Sequence, residues 1–173
     1  MKLYHGSIVI VESPQIIRNV IGRDFGFGFY TTDIKEQAER WALRRKRTAS
    51  RNGLVDAKAI VSVYEINIEE ARKVLNFKDF SVASMDWLEL ILSCRSNKDF
   101  THPFDVVTGK IANDSVGETV SYVLAGIMRK EDAIERLKFQ QINNQFAFCS
   151  ERSLEFLKFV SSYIVEGISN DRT

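Results

Sequence analysis

The residues best suited to chemistry stand in two short groups. One is "LYHGS" (3–7), where His5 precedes Gly6 and Ser7; the other is "DFGFGFYTT" (24–32), with three phenylalanines, two glycines and Tyr30. Glycine in or beside a strand marks a bulge, or a place where a ligand or another backbone must come close. A flat aromatic ligand could lie on the Tyr30 ring, with its amide hydrogen-bonded to backbone groups at Gly6. The same spacing describes two strand ends and a tight turn lined with core aromatics, and spacing alone leaves both readings open.

The elements that must hold these residues follow from periodicity. "KLYHG" (2–6) and "GFYTT" (28–32) read as strands, and "ESPQIIRN" (12–19) as a turn with one helical turn after Pro14. "DIKEQAERWALRRKR" (33–47) reads as a helix opened by a capping box of Asp33 and Glu36, with Ile34, Ala38, Trp41 and Ala42 on one buried face. The β-branched run "AIVSVYEI" (59–66) is a strand. Residues 84–95 form a helix, 104–109 a strand with a turn, 115–139 one long or two short helices, 145–150 a strand, 151–157 a short helix and 158–166 a last strand. Strands scattered among helices without regular βαβ alternation predict an α+β domain.

The length of 173 residues suits one domain with a true core, and no repeat or linker divides it. With 45% hydrophobic and 27% charged residues and a net charge of +1, the chain reads as globular, without whole-surface attraction to nucleic acid or membranes. No apolar run is long enough for a membrane span or a signal peptide, which predicts a cytoplasmic protein with no membrane partner. Cys94 and Cys149 lie in apolar surroundings without metal-ligand spacing and read as buried free thiols; no metal site is expected. The strongest charge run, "RRKRTASR" (44–51), continues the helix and then leaves it for a loop. It reads as a solvated helix end, or as a contact for phosphates or a polyanion.

"YHGS" followed by "FGFGFYTT" resembles the first two motifs of the ADP-ribosyltransferase superfamily in its histidine–tyrosine–glutamate branch, which includes the poly-ADP-ribose polymerases and diphtheria-toxin-like enzymes. The later pattern "FDVVTGKIAND … INNQFAF … LEFLKF" is similar to a bacterial family of uncharacterised domains, often encoded beside a small partner protein in a toxin–antitoxin-like arrangement. The resemblance implies a split antiparallel β-sheet core with flanking helices, NAD as substrate, and transfer of ADP-ribose to a protein or nucleic-acid acceptor. It also implies a small antitoxin protein as a partner.

By the same resemblance, His5 would bind the adenosine-side ribose, the Gly6 backbone would clamp the nicotinamide carboxamide, and Ser7 would add a hydrogen bond. Tyr30 would stack on the nicotinamide, beside Gly28 and Phe29, and Trp41 would close its other side. Arg18 and Arg23, just before the glycine motif, are placed for the diphosphate. The third motif departs from the family: where a glutamate is expected at the start of a late strand, "NNQFAF" has Gln145. An amide accepts the ribose hydrogen bond but brings neither charge nor a general base. Asp105 or Asp114 could assist, or serve only as turn formers. The rival readings are an NAD glycohydrolase and a catalytically silent module that binds NAD, ADP-ribose or a protein.

Overall fold

The computed structural model describes residues 1–18, 23–112, 114–138 and 142–166, and the chain is α+β, as its element pattern predicts. Two interleaved units can be separated. The first gathers residues 1–14, 31–66 and 157 onward; the second gathers 15–30 and 67–156.

In the first unit, β1 (Lys2–Ser7), β3 (Ile60–Glu65) and β7 (Lys158–Ile164) form an antiparallel sheet with β3 in the centre. Helix α1 (Lys35–Arg51) packs its Ala38 and Ala42 against Val61 and Val63 of β3. Small residues on the helix and branched ones on the strand bring the two backbones close. The helix departs from expectation at three places. Its N-cap is Ile34, one residue after the expected Asp33, without a capping side chain of its own, and the Ile34 N–H donates to Thr32 Oγ1 at 3.1 Å. Ile34 and Trp41 are exposed, leaving Gln37, Ala38 and Ala42 as the buried residues. The whole run 44–51 is helical, and the turn begins at Asn52.

In the second unit the strand order is β2 (Phe29–Thr31), β6 (Ile142–Phe148), β5 (Val106–Ala112), β4 (Phe77–Phe80), of which β5 and β6 are antiparallel and β4 and β5 parallel. Helix α2 (Ile68–Val74) precedes β4 and is capped by Asn67, whose side chain accepts from Glu70 N–H. Helices α3 (Met85–Ser96), α4 (Asp114–Leu124) and α5 (Lys130–Lys138) share a core with the sheet: Trp87, Leu88 and Ile91 from α3, Val120 from α4, Ala133 and Leu137 from α5, and Val107 and Ala147 from β5 and β6. The expected 115–139 segment is thus two helices, broken at Gly126, whose φ of +70° suits glycine. Helix α6 (Glu151–Leu154) is a single turn. Residues 15–18 carry no helical turn, and Asn19 lies outside the described residues.

Candidate functional site

Strand β1 sets the first group. Odd-numbered residues turn their backbone groups to β3: Met1 exchanges both hydrogen bonds with Ile66, and the ladder continues in register through His5 and Ser62. Even-numbered residues turn theirs the other way, and Tyr4 exchanges both bonds with Thr32 at 2.8 and 3.0 Å. The alternation of an antiparallel ladder therefore directs the Gly6 N–H and C=O away from β3, along the edge just past Thr32. Side chains alternate as well. A Cβ on Gly6 would lie 2.1 Å from the Ala38 carbonyl oxygen and 2.8 Å from the Ala42 nitrogen, so this face of β1 meets the backbone of α1.

His5 projects from the opposite face, beside Ser62, its cross-strand partner. Val11 crosses the same face: its N–H donates to Ser62 Oγ at 3.0 Å, and its carbonyl accepts from the Tyr64 hydroxyl. Ser7 is buried, and its hydroxyl makes a local turn with Val9, donating to the carbonyl and accepting from the N–H.

The second group is a pinned loop. Gly26 has φ +74°, a left-handed conformation open to glycine. The Tyr30 hydroxyl donates to the Gly26 carbonyl at 2.6 Å and accepts from the Phe25 N–H at 3.2 Å. His102 Nδ1 accepts from the Phe104 N–H, which leaves its proton on Nε2, 3.1 Å from the Phe25 carbonyl. Asp24 pairs with Arg95 of α3. Gly28 serves a different need: a Cβ there would stand 2.8 Å from the Phe148 carbonyl, so the loop passes directly over β6. Phe29 is buried. The Arg23 guanidinium lies over the Tyr30 ring, 4.9 Å from its centre.

Burial drives the Tyr30 phenol well above its ordinary pKa, helped by Cys149 and Asp24 and opposed by Arg23. The phenol stays protonated as a donor. Tyr30→Phe should therefore lose about 1–2 kcal/mol of stability by freeing two loop groups, a loss that chemical denaturation would read.

Gln145 sits on β6 directly across from Gly109 of β5. Gly109 bears no side chain, and the edge of the Phe25 ring fills its place: a Cβ there would be 2.9 Å from Phe25 Cζ. Gln145 is 9% exposed; the buried side-chain polar atoms without a hydrogen-bond partner among the described residues are Gln37 Oε1 and Trp87 Nε1.

A protein family, described as "Protein of unknown function (DUF3990)", matches residues 1–159. The chain belongs to the DUF3990 family. No curated protein and no solved structure matches it.

The remaining carboxylate candidate takes a structural part in this DUF3990 chain. Asp105, 4% exposed, accepts from the Asn76 N–H at 2.8 Å, Ser150 Oγ at 2.6 Å, and Arg152 Nε at 2.8 Å together with its Nη2. These donors hold its carboxyl down to about 2, the Arg152 bond contributing most. A carboxylate with all these donors is built into the fold, the structural one of the two roles the sequence left open for it. The Asp114 side chain lies outside the described residues. Asp105 eluded sequence reasoning because Asn76 and Arg152 are far from it along the chain.

Trp41 stands on the outer side of α1 at 43% exposure, with the Arg44 guanidinium 5.9 Å from its ring centre. Arg18 is exposed. Cys94 and Cys149 are free thiols, both pushed up to about 12, chiefly by burial. They are poor nucleophiles at neutral pH. Among the described residues of this DUF3990 member, no cluster of His, Cys, Asp and Glu could hold a metal ion. No described helix is long and apolar enough to cross a membrane.

Proposed function

We propose that this chain is an NAD-dependent mono-ADP-ribosyltransferase whose acceptor is a macromolecule. The observation that carries the reading is Gln145, 9% exposed on β6 directly across from Gly109. It occupies the position at which the motif resemblance calls for the residue that binds the ribose 2′-hydroxyl. The direction of the Gly6 peptide groups, off the β3 ladder, adds support, since a carboxamide needs one donor and one acceptor side by side.

In the proposed reaction the bond between the ribose C1′ and the nicotinamide nitrogen breaks, and nicotinamide leaves with the electron pair. The acceptor's oxygen or nitrogen bonds to C1′ and gives up its proton. His5 and Gln145 would fix the two riboses, Gly6 the carboxamide and Tyr30 the ring, so that positioning supplies most of the acceleration. For Tyr30 to receive the ring on the side that Arg23 covers, Arg23 would swing off it toward the diphosphate. We also propose a role as the toxic member of a two-gene pair with a small antitoxin, acting inside the cytoplasm; the later sequence motifs support it.

The neutral side chain at position 145 favours one second reading, a module that binds NAD or ADP-ribose without turnover. Calorimetric titration with NAD, beside an assay for released nicotinamide, separates them. The transferase reading expects binding and release by the parent, a rise in release of about tenfold or more for Gln145→Glu, and loss of binding in His5→Ala. Binding without release in both the parent and Gln145→Glu would leave the silent module, and absence of binding would end both readings. Release without any labelled acceptor would instead mark a glycohydrolase.

A further inference from the structure

We propose that the outer face of α1 is a docking surface for single-stranded nucleic acid. Net charge says nothing of it, because the charge is unevenly placed. Helix α1 holds seven basic and two acidic residues, a surplus of five, whereas the whole chain has a surplus of one; everything outside the helix is therefore net acidic by four. At about 100° per residue, Arg40, Arg44, Arg47 and Arg51 fall within about 60° of one another, opposite the buried Ala38 and Ala42. All four are exposed. Their stripe runs about 16 Å along the helix, a line of guanidinium groups matched to a line of phosphates.

Two acidic residues share the helix with it. Glu39 turns to the sheet side, where it accepts from the Tyr163 hydroxyl at 3.0 Å and pairs with Lys35. Glu36 lies in the first turn, one turn before Arg40 and at the far end from Arg47 and Arg51.

Trp41 is what makes the face more than a charged helix. A tryptophan at 43% exposure is unusual on a soluble surface, since it leaves a large apolar ring in water. It flanks the arginine stripe, within reach of the Arg44 guanidinium. An open indole beside a track of guanidinium groups is the pairing that holds single strands, with a base stacked on the ring and the backbone on the cations. A duplex keeps its base faces stacked inside and cannot use the indole in this way. The proposal stands whether or not the chain transfers ADP-ribose.

The test is titration of the full chain with fluorescein-labelled oligo(dT), followed by anisotropy and by tryptophan emission. Trp87 is 2% exposed, so quenching by a stacked base reports on Trp41. The expected result is saturable binding with quenching, and a slope of log K against log salt of about −3 for four neutralised phosphates. Trp41→Ala should weaken binding about fivefold or more and abolish the quench. The double variant Arg47→Ala/Arg51→Ala should lower the slope by about 1.4. Exposed side chains make these variants safe for folding, and far-UV circular dichroism would check it. Absence of binding, or unchanged affinity in both variants, overturns the proposal. Equal binding of heparin with no change in emission would overturn it in favour of an acidic protein or polysaccharide.

Discussion

Gly6→Ala should unfold at a much lower denaturant concentration than the parent, with a loss of about 3 kcal/mol or more. The added methyl would lie 2.1 Å from the Ala38 carbonyl oxygen and 2.8 Å from the Ala42 nitrogen, and neither belongs to a side chain that can rotate away. Helix α1 would have to shift off β1, opening the contact of Ala38 and Ala42 with Val61 and Val63. Gly117→Ala is the control: nothing lies within 4 Å of a Cβ there, and the residue is inside α4. That variant should be neutral or more stable by up to about 1 kcal/mol. Equal behaviour of the two variants in urea would refute the close packing of α1 on Gly6. The glycine in the first motif is thus demanded by packing whatever the neighbouring peptide groups bind.

Asp105→Ala should cost about 2 kcal/mol, because it leaves the Ser150 hydroxyl and the Asn76 N–H without their acceptor, while the exposed Arg152 guanidinium turns to water. Its effect should also depend on pH in a definite direction. The Asp105 carboxyl is held at about 2, below its ordinary 3.8. The folded state therefore binds the proton less readily than the unfolded state, and the group stabilises the fold above about pH 4. That contribution, about 2.5 kcal/mol, drains away as pH falls from about 4 through 2. Parent and Asp105→Asn should differ in stability at pH 6 and draw together near pH 2. A constant gap across this range would show that the ion pair does not set the acid limb.

Sequence reading served best where one element carries its own signal. The run 59–66, half of it β-branched, became the central strand β3, and the apolar face of 84–95 became α3. It failed where the signal is shared with distant residues. Strand β4 has four residues, two of them charged, and exists because β5 offers a parallel partner some thirty positions on. No local pattern could reveal it.

The glycines show the same limit. Gly26 is required by its dihedral angle and Gly28 by an approach to β6, yet the two look alike in sequence. Trp41 fitted the apolar period of α1, but its flank of the helix stays in water while Ala38 and Ala42 bury the sheet side. At the candidate site, the strands under His5 and Gly6 were legible. The engagement of the Tyr30 hydroxyl was not, because it turns on the conformation of the loop four and five residues before it, and neither was the saturation of Asp105, whose partners Asn76 and Arg152 are distant in sequence.

The order β1-β3-β7 has a consequence for biosynthesis. Strand β3 gains its first neighbour from residues already made, but its second only from residues 158–164. On the ribosome, the hydrogen-bonding groups of β3 on that side stay uncovered while the second unit's segment 67–156 emerges and closes its own core. A nascent chain arrested anywhere in that interval presents a β-branched edge to its neighbours, the kind of surface that recruits chaperones or seeds aggregates. Completion of β7 is the step that retires this hazard, so translation pauses before residue 164 should be the ones this protein tolerates least.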